Sequence, residues 1–307
     1  MDWLDAAQAL RAARTPSVIV TVATVRGHAP RNGGAKMVVS ATATFGTVGG
    51  GNLEATVIAR ARELLGEAAD EPELMKLTLS DRVATEYGVQ CCGGEVTMLL
   101  EPVLAVPVVA VFGVGHVGLE LARILVRQRI ELHLVDSRPE MLAPERIGVP
   151  GSSGPLADAV ATVLVHGPQV PESALMLLPT GAHVLVMTHD HVEDLAIIEA
   201  ALGTDGLASI GLIGSRSKWA RFEQRLREAG HEDASLARVA TPIGIDGIGS
   251  KDPAAIAVSV AARVLQQIEE QAVTRGHAEQ GRTTPVAPAP PAPPAVSARV
   301  AATWTAQ

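Results

Sequence analysis

The segment Gly113-Val114-Gly115-His116-Val117-Gly118 constrains the fold more than any other stretch of this chain. Its G-x-G-x-x-G spacing follows the apolar run Val106 to Phe112 and opens the amphipathic stretch Val117 to Arg129, so the spacing predicts a buried strand, a tight turn and a helix. Glycines in such a turn let the backbone approach a phosphate, and the helix behind offers free amides and the positive end of its dipole. The alternative is that they serve only close packing of helix on strand. Downstream, strand patterns at Glu131 to Val135, Ala159 to Val165, His183 to Met187 and Ser209 to Ile213 alternate with helical patterns at Val192 to Leu202, Lys218 to Glu228 and Pro253 to about Glu270. That alternation predicts a doubly wound parallel sheet. Asp136 falls at the end of the second strand, where a carboxylate takes ribose hydroxyls and repels a 2′-phosphate. Thr188-His189-Asp190-His191 and Gly214-Ser215-Arg216 fall at carboxyl ends of later strands, facing the same crevice. Two imidazoles on one loop make a poor zinc set; a polar rim, or Asp190 capping the next helix, fits better.

Ahead of this half the pattern differs. Asp2 to Arg14 reads as a helix, Ser17 to Val25, Lys36 to Ser40 and Phe45 to Val48 as strands, Leu53 to Leu65 as a helix started by Asn52, and Leu74 to Leu79 and Glu95 to Leu100 as further strands. Two prolines between Glu101 and Pro107 then break the pattern. The expectation is an α/β protein with an N-terminal α+β domain over 1–102, a Rossmann-like domain over 103–272, and a disordered Pro/Ala-rich tail over 273–307. Two glycine-rich loops, Gly27 to Met37 and Gly49 to Glu54, could cradle an oxyanion with backbone amides of Gly50 and Gly51 and the cations Arg31 and Lys36. Tight turns with solvated charges would look the same.

Cys91 and Cys92 are the only sulfhydryls of the 307 residues, set between Gly88 and the pair Gly93-Gly94. Adjacent Cα atoms lie about 3.8 Å apart, under the usual disulfide span of roughly 4.4 to 6.8 Å, so these thiols are expected free. They suit a reactive or soft-metal site, or are simply small core residues. Twenty-five Lys plus Arg against 33 Asp plus Glu, with no long basic cluster, argue against a nucleic-acid partner. Aromatic residues at 2% leave no stacking platform for bases. No stretch approaches the roughly 18 apolar residues of a membrane span, and the expected address is the cytoplasm.

Taken together, several segments resemble one family, the xanthine dehydrogenase accessory proteins of the XdhC/CoxI type. They are His28 to Arg31, Gly34 to Met37, Gly49 to Glu54, Cys92-Gly93-Gly94, Gly113 to Gly118, Thr188 to Asp190, Ile210 to Arg216, and Pro242 to Gly244 through Asp252 to Ala257. The resemblance implies a molybdenum cofactor (Mo-molybdopterin) chaperone and no enzyme. It implies a protein that shields the cofactor as cargo, promotes its sulfuration with a cysteine desulfurase and delivers it to apo xanthine dehydrogenase. Cofactor-donating molybdenum-insertion proteins and self-association into a homo-oligomer are implied as well. Cys91 or Cys92 is then the molybdenum contact, with Gly93, Gly94, Gly113, Gly115, Gly118, Asp136, Arg31, Lys36, Gly50 and Gly51 about the cofactor. Some relatives carry a cysteine where this chain has Asn52. The rival reading is an NAD-dependent oxidoreductase built on Gly113, Gly115, Gly118 and Asp136.

Overall fold

The computed structural model describes residues 1–67, 69–79, 94–148 and 154–280, with side chains to 271. Cys91, Cys92, Gly93 and the tail beyond Gln280 lie outside the described residues. The chain opens with helix α1 (Trp3–Ala12), started by Asp2, whose Oδ1 accepts the N–H groups of Leu4 and Asp5 at 2.8 Å each. Then follow β1 (Ser17–Arg26), β2 (Lys36–Ser40), β3 (Thr44–Gly46), α2 (Gly51–Gly66), β4 (Glu73–Leu79) and β5 (Gly94–Val103). The strands form one antiparallel sheet in the order β3-β2-β1-β5-β4. Alternation decides which face is covered: Val18, Val20, Met37, Val39, Met98 and Leu100 pack in one core with Leu53, Val57, Ala61 and Leu64 of α2.

Two local expectations change here. β5 does not stop at the prolines: Pro102 pairs with Val18 of β1, while β4 begins opposite Leu100 and pairs only with the part of β5 before it. Proline is tolerated there because beyond Leu100 the strand has a single neighbour and needs no second ladder. Asn52 does not cap α2; the helix begins one residue earlier, at Gly51, with Gly50 at the cap position in the left-handed region (φ +74°). The capping acceptor is Glu54, one turn inside, whose Oε2 reaches back to the amides of Val48 (3.1 Å) and Gly50 (3.0 Å).

The second half contains β6 (Val108–Phe112), α3 (His116–Leu125), β7 (Glu131–Val135), α4 (Pro144–Ile147), β8 (Thr162–His166), β9 (His183–Val186), α5 (His191–Leu202), β10 (Ser209–Leu212), α6 (Arg216–Glu228), α7 (Asp233–Leu236), β11 (Val239–Ala240) and α8 (Pro253–Gln280). Its described strands pair in parallel, in the order β11-β10-β9-β6-β7-β8. The chain therefore reverses its direction of travel across the sheet between β6 and β9, the switch point at which such sheets bind ligands. β6 is buried on both faces, so it reads as an unbroken apolar run. Val109 and Val111 pack beneath α3 and α8, Ala110 and Phe112 beneath α5 and α6. Among the described residues, the crossovers on either side of β8 hold 3₁₀ turns (Pro139–Leu142, Pro171–Leu177) and α4. Their prolines suit first turns but leave too few residues for a helical period. Helix α8 packs on α3 and also on α2, and continues past the expected boundary at 272. Among the described residues no helix is long and apolar enough to cross a membrane.

A polar chain ties the halves together. Arg14, after α1, donates to the Val106 carbonyl and pairs with Glu131 at the start of β7. Glu131 Oε1 lies 2.9 Å from His133 Nε2, and His133 Nδ1 lies 3.1 Å from His166 Nε2, with the rings stacked at 5.1 Å between centroids. Burial, and then the neighbouring His133, hold the His166 imidazole below its ordinary range. The neutral ring thus contributes stability fully present above the unfolded value near pH 6.5 and lost as pH falls through the lowered folded value. Unfolding free energy measured by urea denaturation should fall between about pH 7 and 5 less steeply in His166→Gln than in the parent.

Candidate functional site at the carboxyl end of the parallel sheet

The glycine loop divides into two kinds of glycine. A Cβ on Gly113 (φ +99°) would meet the Met187 carbonyl inside van der Waals contact, and one on Gly118 would meet the Gly113 carbonyl. Those two exist because loop, β9 and α3 pack backbone to backbone. At Gly115 a Cβ would find nothing within 4 Å. Packing therefore accounts for the outer pair, while Gly115 leaves the open approach that a ligand needs.

Asp136 behaves differently from the ribose ligand its position suggests. It is 2% exposed. Its Oδ2 accepts the Val114 N–H at 2.7 Å and Arg138 Nη2–H at 2.9 Å, while Oδ1 accepts the Arg138 N–H at 3.0 Å and Nε–H at 2.9 Å. Burial opposes the charge, but the hydrogen bonds from Arg138 and Val114 together outweigh it and hold this carboxyl below the usual range. Both oxygens are spent on pinning the glycine loop to the β7 end. A ribose diol would have to displace Arg138, so the arrangement does not present the NAD-type carboxylate.

Beside it, Ser137 Oγ donates to Glu193 Oε2 at 3.0 Å, bringing α5 against the β7 end. Glu193 is pushed up, chiefly by burial and also by Asp136 and Asp194, which the Ser137 hydrogen bond and His189 only partly offset. Deeper lies a network that the residue patterns of the loops did not reveal. Asp194, fully buried, accepts the Thr188 N–H at 3.0 Å and hydroxyl at 2.8 Å through Oδ1 and pairs with Lys218 through Oδ2. Lys218 Nζ also donates to the Ile213 carbonyl at 3.0 Å. The loops after β9 and β10 are thus locked to each other. A signal did exist: Asp194 shares a stripe with Ile197, Ile198 and Ala201, and Lys218 with Phe222 and Leu226, so each apolar face carries one charge of opposite sign. Asp190 caps α5, accepting the Val192 N–H at 2.6 Å, and His189 and His191 are exposed. Among the described residues no group of three or more His, Cys, Asp or Glu side chains could hold a metal.

In the N-terminal half, the predicted oxyanion cradle already holds an internal anion. Glu54 takes the Val48 and Gly50 amides and the Thr47 hydroxyl. Lys36 donates to Thr21 Oγ1 at 2.6 Å and lies over the Trp3 ring at 5.4 Å, so it does not join Gly50 and Gly51; Arg31 is exposed. Gly94 is a packing glycine, since a Cβ there would run into the carbonyls of Arg26 and His28. The loop carrying His28 to Arg31 therefore begins beside the residue that directly follows Gly93.

The chain thus joins an antiparallel α+β unit to a Rossmann unit whose acidic residue is buried. The XdhC Rossmann domain matches residues 109–264, and the XdhC and CoxI family matches residues 10–76. The chain belongs to the XdhC and CoxI family. A relative, the uncharacterized protein YqeB of Escherichia coli K12, is 28% identical over 268 residues, covering 87% of this chain and 46% of that protein. This chain thus spans about half the length of that relative. A crystal structure described as a xanthine dehydrogenase from Bacillus halodurans is 19% identical, covering 88% of this chain and 97% of that one, with a TM-score of 0.43.

Proposed function

We propose that this protein is an accessory protein of xanthine dehydrogenase maturation. It carries the molybdenum cofactor as cargo, protects it, promotes its sulfuration with a cysteine desulfurase and delivers it to the apoenzyme. What carries this reading is the match of both halves, in order, to the XdhC and CoxI family. The internal engagement of Asp136 supports it from the other side, because an NAD-dependent oxidoreductase on this loop lacks its free ribose carboxylate. Cys91 and Cys92 supply thiolates of the right softness for molybdenum. Molybdenum-insertion proteins are proposed as donors, a cytoplasmic setting as the place, and a homo-oligomer as the working form.

The test is anaerobic binding of molybdenum cofactor by the parent, Cys91→Ala and Cys92→Ala, with NAD titrated in parallel. The expected result is stoichiometric capture, lost in one variant. NAD binding without cofactor capture would replace this reading with the oxidoreductase. Affinity should also weaken as pH falls below the thiol range near about 8.5, because protons compete with the metal for the thiolate. An affinity flat from pH 9 to 6 counts against a titrating free thiol.

A further inference from the structure

Between β11 and α8 the chain runs as a strap over the carboxyl end of the parallel sheet. It is pinned at two points. Ile243 covers Gly211, where a Cβ would come within 2.5 Å of the Ile243 side chain. Gly244 (φ +112°) crosses Ser259 of α8, whose hydroxyl accepts the Ile245 N–H at 2.9 Å and donates to the Ile245 carbonyl at 3.1 Å. Beneath the strap, between the end of β10 and the first turns of α8, is a cavity of about 320 Å³.

The chemistry of this cavity is narrow. Ile213, Ile243, Ile248 and Ile256 make its walls apolar, and Lys251 is its one charged lining residue. Lys251 is exposed and has no hydrogen-bond or ion-pair partner among the described residues. Ligand pockets start at roughly 300 Å³, so the space suits a single ring system and not a dinucleotide. It lies one strand beyond the β6/β9 switch point, beside the Gly214 loop.

We infer that this cavity is a subsite for a flat bicyclic heterocycle bearing an anionic substituent, the pterin class, with the ring between the isoleucines and the anion on Lys251. This rests on the cofactor-carrier reading and assigns the ring end of the cargo a place within the Rossmann half. A positively charged nicotinamide ring is disfavoured by the same lysine.

The experiment titrates the full chain with pterin-6-carboxylate and, separately, uncharged 6-methylpterin, following pterin fluorescence. Lys251→Ala and Ile248→Trp are the variants; Ile248 is 39% exposed at the rim, so the larger side chain fills the cavity without crowding the core. Saturable binding is expected in the parent. Lys251→Ala should lose about tenfold for the carboxylate and little for 6-methylpterin, the scale of one charge-assisted hydrogen bond. Ile248→Trp should weaken both, with melting curves confirming that the variants fold. No saturable binding, or variants that bind both probes like the parent, overturns the subsite. Capture of intact cofactor that survives Ile248→Trp sinks the subsite and leaves the carrier reading. Pterin binding lost in Ile248→Trp, without capture of intact cofactor by the parent, keeps the subsite and sinks the carrier reading.

Discussion

Replacing Lys218 with alanine is expected to lower the unfolding free energy by about 3–5 kcal/mol, the scale for removing one member of a buried ion pair. The lysine side chain is 8% exposed and Asp194 is wholly buried, so the abandoned carboxylate would keep only the Thr188 amide and hydroxyl. Lys218→Met with Asp194→Asn should cost less than the two single losses summed, because the neutral pair removes the charge while the amide oxygen still accepts from Thr188. Urea denaturation of the four proteins measures the cycle. Additive losses would show that the pair carries no coupling, and the locked loops would then need another cause.

Asp136→Ala comes next, with an expected loss of about 2–4 kcal/mol, since the Val114 amide loses its buried acceptor and Arg138 its partner. Arg138 is 25% exposed and can turn to water, which keeps the cost below that of Lys218→Ala. Asp136→Asn should recover part of the loss through the bond to Val114. The pH dependence has a definite sign: the lowered carboxyl contributes stability present above its unfolded value near pH 4 and lost as pH falls through the folded one. The acid limb of a stability profile should therefore be shallower in Asp136→Asn. An identical limb would mean that Asp136 is not the carboxylate holding the loop.

Where local pattern and tertiary environment agreed, the fold was legible. The continuous apolar run of β6 and the glycine loop after it announced a doubly wound sheet, because strands buried on both faces need no alternation. Short 3₁₀ crossovers such as Pro171–Leu177 were not legible, since seven residues hold too little period to distinguish them from a loop. The start of α2 was misplaced for a related reason: Asn52 is the better cap by residue type, but Glu54 reaching back over Gly50 satisfies more amides. For the site, the positions of Gly113, Gly115, Gly118 and Asp136 were readable, whereas the direction in which Asp136 points was not.

The sequence by itself determined the order of the longer helices and strands, the parallel class of the second sheet and the family, because periodicity, glycine spacing and short motifs are properties of neighbours along the chain. Only the tertiary structure decided what each charged group does. Asp136 turns inward to Arg138, Glu54 fills the cradle meant for an outside anion, and Asp194 meets Lys218 from another helix. Asp194 meets Lys218, and Asp136 the Val114 amide, only once the strands have stacked, whereas Arg138 and Gly50 are near neighbours along the chain and packing decides only that these carboxylates turn toward them. A buried charge must then find its partner wherever packing has placed one.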